Sequence, residues 1–389
     1  MTKVGRINMG IFGKKKISYL GVDLGVGGVK VVELRNEKGR ARLVTYGFTE
    51  RLPDAQPLNL VDDPVGTANL LRAICRKARV TTPRAVASLP IAAVFSSVIN
   101  VPKAGDKDIR EAIQWQARKL IPVPLEEMVL DFKPITPIEP PSAKGLASKQ
   151  KPGSPAGAQP EQKAEERKEQ QTVQVLITGA AKNMVNKVTA VFKAAGLVLD
   201  SLDAETFALI RSLVGKDRAP TMIVDIGAVR TNIVISENGV PYVTRSLDMG
   251  GASFTKAMSR TLNMDLAAAE KTKCDIKGIS SLYPGEGLPR IFEASVGPLV
   301  TELQYSMNLY SSQGAVEGQA EKRIEKIVLT GGGSALPQLA EFLASELNLK
   351  TYVGDPWARV IYPDGLRPIL DEIGYRFAVG VGLAMRDIE

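Results

Sequence analysis

The stretch Gly21-Val22-Asp23-Leu24-Gly25-Val26-Gly27-Gly28-Val29-Lys30-Val31 reads as an apolar strand, an Asp-x-Gly step, a turn of small residues and a returning strand. The same design comes back as Ile223-Val224-Asp225-Ile226-Gly227-Ala228-Val229-Arg230-Thr231-Asn232-Ile233. Each copy heads a three-strand meander, predicted over 17–23, 29–34 and 41–48 and again over 221–225, 231–236 and 241–247. One such hairpin would be no more than a tight turn. Two at the heads of matching meanders argue for a duplicated site.

Glycine lets backbone amides approach phosphate oxygens, and consecutive amides make an anion-binding concavity. An Asp at each strand end can hold Mg²⁺ directly or through water. Lys30 adds a point charge for a β- or γ-phosphate. The physics therefore favours a polyphosphate between Asp23, Gly25, Gly27, Gly28 and Lys30 on one side and Asp225, Gly227, Thr231 and Asn232 on the other. Gly250 and Gly251, at the head of a predicted helix over 251–262, complete this cofactor-binding set. A third element, Val328-Leu329-Thr330-Gly331-Gly332-Gly333-Ser334-Ala335, predicts a strand, a glycine triplet and a helix capped by Ser334, where an adenosine or phosphate can lie against backbone. The commoner explanation of such a run is a helix-entry loop. In Ala269-Glu270-Lys271-Thr272-Lys273, Glu270 and Lys273 share a helix face, where a solvent-exposed ion pair is the ordinary reading.

Composition narrows the chemistry. The 389 residues hold 50 Lys and Arg against 42 Asp and Glu, a net +8, with no His and only Cys75 and Cys274 as thiols. That excludes a histidine base, a Ser-His-Asp system and a His-ligated metal. Two distant cysteines make no redox pair and suit a reducing compartment. Lys3, Arg6, Lys14, Lys15 and Lys16 stand at the N-terminus with no acid among them. This reads as a solvated tail, with attraction to an anionic leaflet as the sharper alternative. Aromatics are 5% and no basic stripe interleaves with them, so nucleic acid is not an expected partner. No apolar run is long enough to span a bilayer and no secretory signal is visible, which predicts a soluble cytoplasmic protein.

Between the meanders, Asp63-Pro64 opens a helix with Leu70, Leu71, Ile74 and Ala78 on one face. Strands are predicted over 85–89 and 94–101. Asp106 then caps a helix with Ile109, Ile113, Ala117 and Leu120 at apolar spacing, ended by Pro122 and Pro124, before a strand over 128–132. Residues 134–171 are rich in Pro, Ser, Gly and charge, and predict a disordered tether inserted between two strands. A strand over 172–179, a helix over 183–195, a strand over 198–203 and a helix over 204–214 follow. Helices over 264–275 and 288–320 and a Gly-containing helix over 373–385 complete the second half.

Taken together and in this order, the four motifs resemble the nucleotide-binding signature of the actin/Hsp70/sugar-kinase superfamily. Gly380-Val381-Gly382-Leu383-Ala384 is similar to its second connecting helix. Within it the chain resembles the PilM family of type IV pilus assembly. The resemblance is carried by Tyr19-Leu20-Gly21-Val22-Asp23-Leu24-Gly25, by Ile113-Gln114-Trp115-Gln116-Ala117-Arg118-Lys119-Leu120-Ile121-Pro122-Val123-Pro124-Leu125-Glu126-Glu127 with Leu130-Asp131-Phe132, and by Ser201-Leu202-Asp203-Ala204-Glu205-Thr206-Phe207-Ala208-Leu209.

It implies an α/β, actin-like two-lobed ATPase fold with a small inserted α/β subdomain. Residues 1–16 would be a basic tail and 17–220 a first lobe with the insert near 90–175. Residues 221–370 would be a second lobe, and 371–389 a helix returning to the first. ATP would lie between the lobes, with Asp23 and Asp225 holding Mg²⁺ through water. Gly331, Gly332, Gly333 and Ser334 would form the adenosine motif, and Glu270 and Lys273 would contact ribose and adenine. Val26-Gly27-Gly28 and Arg230 stand where the family usually has hydroxyls. Asp203 and Glu205 are the candidates for orienting a hydrolytic water, so binding of ATP is better supported than its turnover.

The partner implied is the N-terminal cytoplasmic tail of PilN, a bitopic inner-membrane protein, with pilus motor ATPases or the platform protein beyond it. Association with the inner membrane would run through partners, and homo-oligomerisation is left open. Trp115 and residues 113–127 are expected to shape the partner-binding subdomain, unless they are simply core and turn. A sugar-type kinase is the first alternative, but no sugar-binding motif is visible. An FtsA-like filament former is the second; it would be expected to carry an amphipathic membrane helix beyond the connecting helix, where this chain runs to Glu389.

Overall fold

The computed structural model describes residues 17–49, 60–102, 106–121, 123–135, 172–275, 290–313 and 322–388. The expected basic tail over 1–16 and most of the expected tether, 136–171, lie outside the described residues.

The first meander forms as β1 (Ser18–Gly25), β2 (Gly28–Glu37) and β3 (Arg40–Phe48). After α1 (Pro64–Lys77), whose Asp63 cap accepts from the Gly66 amide at 2.9 Å, comes β4 (Arg84–Leu89). A short 3-10 turn, Ile91–Ala93, leads into β5 (Val94–Pro102), α2 (Asp106–Leu120), β6 (Met128–Ile135) and β7 (Thr172–Ala181). The chain continues through α3 (Lys182–Ala195), β8 (Val198–Ala204) and α4 (Glu205–Leu209). The second meander is β9 (Thr221–Ile226), β10 (Thr231–Glu237) and β11 (Val240–Leu247). Next come α5 (Gly251–Leu262), α6 (Leu266–Cys274), α7 (Arg290–Ser312), β12 (Lys326–Thr330), α8 (Leu339–Leu347), β13 (Lys350–Val353), β14 (Val360–Ile361), α9 (Arg367–Ile373) and α10 (Ala378–Met385).

Among the described residues the strands form three sheets. One runs β14-β3-β2-β1-β4-β8, the second β11-β10-β9-β12-β13 and the third β5-β7-β6. The first two share one plan: an antiparallel meander whose first strand also pairs in parallel with a later strand. The repeat seen in the sequence is thus a repeat of topology, and it brings Asp23 and Asp225 to equivalent strand ends.

Both faces of the first sheet are covered, which is why β1 reads as an unbroken apolar run. Leu20, Val22, Val29 and Val31 pack under α1 and α3 through Leu71, Ile74, Val188 and Phe192. Tyr19, Val32 and Leu34 pack on Trp357, Phe377, Val381 and Met385. In the second sheet, Val224, Ile226, Ile233 and Ile235 meet Phe254, Met258, Phe292 and Leu299. Its other face, through Ile223 and Val234, packs on Ala208, Leu209, Val379 and Leu383 together with Val86 of the first sheet. Helices α4 and α10 therefore lie in one core that touches both sheets. The third sheet has its own small core, Ile99, Val101, Val175 and Ile177 under Ile113, Ala117 and Ile121. Among the described residues no helix is long and apolar enough to cross a membrane.

Several local expectations change. Helix α2 begins at Asp106 itself, and Leu120, its last residue, is 44% exposed and outside the core. β6 runs on through Pro134, which its place on an edge strand tolerates. The helix expected over 204–214 is α-helical only to Leu209 and becomes a π turn over Ile210–Val214. The single helix expected over 373–385 is broken: α9 ends at Ile373, Gly374–Arg376 is a 3-10 turn, and α10 starts at Ala378. Ser334 does not cap a helix. Its hydroxyl turns back to the Gly331 carbonyl at 2.7 Å inside a 3-10 turn, Gly332–Ala335, and α8 starts only at Leu339.

Candidate functional site

Asp23 and Lys30 are cross-strand partners on β1 and β2, and Lys30 Nζ donates to Asp23 Oδ2 at 2.9 Å. On the equivalent hairpin, Asp225 faces Asn232. The two turns meet at their tips: a Cβ built on Gly27 would stand 3.0 Å from the Ala228 Cβ. A third carboxylate joins from the first turn of α4. Glu205 Oε2 accepts from the Ile91 amide at 3.2 Å and from Asn232 Nδ2 at 3.4 Å.

The electrostatics mark these groups as one cluster. Burial pushes the Glu205 carboxyl up to about 8, with Asp23 and Asp225 adding to the rise and the Ile91 amide and Lys30 opposing it. Burial and Asp23 push Asp225 up to about 6, against Lys30 and a hydrogen bond from Asn232. Burial acts to lower the Lys30 pKa, but Asp23 together with Asp225 and Glu205 raises it above the ordinary lysine value. Three carboxylates and one ammonium leave the cluster two negative charges in excess when all are ionised, which suits an incoming cation. Among the described residues no group of three or more His, Cys, Asp or Glu is arranged to hold a metal ion by itself.

Asp203 goes elsewhere. It accepts from Arg211 at 2.9 Å, and the other arm of that guanidinium donates to the Gly382 carbonyl at 2.5 Å. Of the two candidate carboxylates, only Glu205 stands with Asp23 and Asp225.

The remaining motifs gather beside the second hairpin. The Gly251 amide donates to the Gly227 carbonyl at 2.9 Å, and a Cβ on Gly250 would fall 2.6 Å from the same oxygen, so α5 starts directly on the Gly227 turn. Thr231 spends its hydroxyl on the Met249 carbonyl at 2.7 Å and supports that turn rather than offering a free donor. Arg230 points outward into an exposed ion pair with Asp248. Gly331, at φ +81°, lies against Asp225: a Cβ there would be 2.4 Å from Asp225 Oδ1. Lys273 Nζ bonds Glu270 Oε2 at 2.6 Å, Thr255 Oγ1 at 2.8 Å and the Gly251 carbonyl at 3.1 Å. The Glu270–Lys273 pair is therefore a half-buried knot tying α6 to α5, not a solvated surface pair.

Between this knot and the glycine triplet opens a small pocket lined by Lys273, Cys274, Gly332, Gly333, Tyr375 and Arg376 among others. Tyr375 and Arg376 carry no signal in the sequence, where they fall inside a predicted helix. The break before α10 is what delivers them. The Tyr375 carbonyl is fixed there by the Gly331 amide at 2.8 Å and the Thr330 hydroxyl at 2.9 Å.

Duplicated sheets with an Asp at each first-strand end, two connecting helices between them and a glycine triplet beside the second Asp define the actin-like class of α/β proteins. The chain belongs to the type IV pilus assembly protein PilM family, whose model matches residues 21–145 and 162–388. It is similar to a chain of a solved PilM-PilN type IV pilus biogenesis complex, at 29% identity and a TM-score of 0.73, over 96% of this chain and 99% of that one. The fold is also shared with the ethanolamine utilization protein EutJ from Carboxydothermus hydrogenoformans, at 14% identity and a TM-score of 0.53, over 95% and 89% of the two chains. The cell division protein FtsA of Neisseria meningitidis serogroup B (strain ATCC BAA-335 / MC58) is 26% identical over 224 residues, 54% of this chain and 52% of that one. The chain spans about half the length of the curated relatives it matches.

Proposed function

We propose that this protein is an ATP-binding, actin-like component of a type IV pilus assembly complex, and that it docks the N-terminal cytoplasmic tail of a PilN-type inner-membrane protein. The observation that carries the nucleotide reading is the meeting of Asp23, Lys30 and Asp225 at the ends of two equivalent hairpins. Mg²⁺ would be held by Asp23 and Asp225 through water, and the phosphates by Lys30 and the amides of the glycine turns. The nucleoside would enter the pocket beside Lys273 and Gly332. Turnover, if it occurs, falls to Glu205, since Asp203 is committed to Arg211.

The partner reading is supported by family membership and by the likeness to a chain solved with PilN. With no helix suited to crossing a membrane among the described residues, attachment to the cytoplasmic face of the inner membrane would come through that tail. Contacts with pilus motor ATPases or the platform protein, and self-association, are further steps of the same reading. The exposed apolar side chains on and between the helix and strands of the third sheet, Trp115 at 59% exposed with Val123 and Phe132, give the inserted subdomain surface for docking.

Calorimetric titration with Mg-ATP tests the first claim: the wild type binds and Asp23→Ala does not. Fluorescence anisotropy with a labelled tail peptide tests the second. Unchanged Mg-ATP affinity in Asp23→Ala would move the nucleotide site elsewhere, and failure of the peptide to bind nucleotide-loaded protein would remove the partner.

A further inference from the structure

The first sheet ends in two different chemistries. At one end β1 and β2 turn through Gly25 and Gly28 and hold Asp23 and Lys30. The opposite end, about 17 Å away at the rise of a strand from Ser18 to Asp23, is basic. Lys38 and Arg40 stand at the turn between β2 and β3, Arg76 lies in the last turn of α1 with Arg79 just beyond it, and Lys193 lies in the last turn of α3. All five are exposed, and among the described residues none has an ion-pair partner. The chain beyond each helix ties these groups to the same end. Thr82 Oγ1 donates to the Ser18 carbonyl at 3.1 Å, and the Val198 amide donates to the Pro83 carbonyl at 2.9 Å. The carboxylates here are largely engaged: Glu37 by Arg42 and Asp200 by Arg84, each at 2.6 Å, while Asp387, in the field of Arg84, directly follows Arg386. Two aliphatic side chains stand exposed in the same end, Ile17 at 49% before β1 and Val198 at 55% at the head of β8. In the sequence Lys14, Lys15 and Lys16 immediately precede Ile17.

We propose that this end of the first sheet is a membrane-contact face, and that its occupant is the headgroup layer of an anionic bilayer. Unpaired Lys and Arg are drawn to an anionic leaflet, each worth about fivefold in affinity close to the surface. Aliphatic groups among them gain from reaching the acyl boundary, where Ile17 and Val198 lose contact with water. The positive groups come from a strand turn and two helix ends spread across the sheet, a layout that suits a plane of headgroups better than one acidic segment. Nor does the face suit nucleic acid. The exposed aromatics Trp115, Phe132, Tyr305 and Tyr352 belong to the other two sheets and their helices, so none of them is here for a base to stack on. A protein lying on this face keeps the Asp23 hairpin on the side away from the bilayer, and the carboxylate cluster stays open to solvent. The contact needs neither nucleotide nor tail peptide, so it stands or falls apart from the readings above.

Vesicles are the probe. The full chain is floated with phosphatidylcholine vesicles, with and without about 30% phosphatidylglycerol, at about 50 and about 500 mM NaCl. The wild type floats with the anionic vesicles at low salt, stays behind with the neutral ones and is released at high salt. Lys38→Glu with Arg40→Glu, and separately Arg76→Glu with Arg79→Glu, each weaken binding by about tenfold or more. Lys256→Glu with Arg260→Glu, the same change of net charge on the exposed side of α5, leaves binding as in the wild type. Equal loss in all three pairs reduces the attraction to net charge and overturns the face. Binding that survives both sheet-end pairs but vanishes when Lys14, Lys15 and Lys16 are changed to Gln belongs to the preceding sequence alone, and overturns it too. Absence of flotation with anionic vesicles overturns the bilayer as occupant; a labelled oligoglutamate peptide that binds the wild type and not Lys38→Glu with Arg40→Glu would then identify an acidic protein segment in its place.

Discussion

Gly382 in α10 lies so close to Ala208 in α4 that a Cβ built on Gly382 would stand 1.9 Å from the Ala208 carbonyl oxygen. The same helix meets β1 with equal intimacy, since a Cβ on Gly21 would stand 2.1 Å from the Gly380 carbonyl. Backbone against backbone at two points seats α10 between the sheets, and Arg211 adds its bond to the Gly382 carbonyl. Gly382→Ala forces one helix off the other. It is expected to destabilise by about 3 kcal/mol, the upper end for overpacking a tight core. The urea midpoint should fall with little change in slope. A midpoint like that of the wild type would mean that α4 and α10 do not touch here.

Stability of the nucleotide-free protein should depend on pH through Glu205. Its carboxyl sits at about 8 in the folded chain against an ordinary value of 4.5. The folded state therefore holds a proton that the unfolded state has released, and the stabilisation is full below about 4.5 and lost as pH rises through about 8. Thermal midpoints should climb as pH is lowered from above 8 toward 6. Glu205→Gln, which mimics the protonated form, should flatten that part of the profile. A variant profile parallel to that of the wild type would assign the dependence to another group.

How far the sequence discloses this arrangement varies with the kind of information involved. The strand-turn-strand repeat around Asp23 and Asp225 is local, since Gly25, Gly27 and Gly227 punctuate apolar runs, so both meanders are readable directly. Glu205 and Asp203 look alike in the sequence. Only the packing of α4 sends one toward Lys30 and the other to Arg211. Ser334 looks like a cap, but its hydroxyl has a nearer acceptor in the Gly331 carbonyl. Tyr375 and Arg376 were hidden because the apolar residues on either side, Ile373 and Phe377, keep helical spacing across a turn that is not α-helical.

Lys30 is the cation facing Asp23, and its removal should be felt most strongly in protein assayed without nucleotide. Lys30→Met leaves Asp23, Asp225 and Glu205 facing one another, and breaking a buried pair from one side costs about 3 kcal/mol or more. The thermal midpoint should drop, and millimolar MgCl₂ should restore more of it in the variant than it adds to the wild type. A Mg²⁺ response equal in the two proteins would show that the ion does not approach these carboxylates.

The two thiols offer a readout of the pocket that needs no partner. Cys75 is half-buried in α1, and burial pushes its pKa up to about 11. Cys274 is exposed and lines the pocket beside Lys273 and Gly332, though burial and the Glu270 carboxylate raise its pKa as well. Access favours Cys274, so a maleimide at pH 8.5 should modify it about tenfold faster than Cys75, as mass spectrometry of the labelled peptides would report. A nucleoside seated between Lys273 and the glycine triplet covers that sulfur, so Mg-ATP should slow Cys274 and leave Cys75 unchanged. If both thiols respond equally, nucleotide is acting on the whole chain. If neither responds while calorimetry records binding, the base lies outside this pocket, and Tyr375 and Arg376 have no part in holding it.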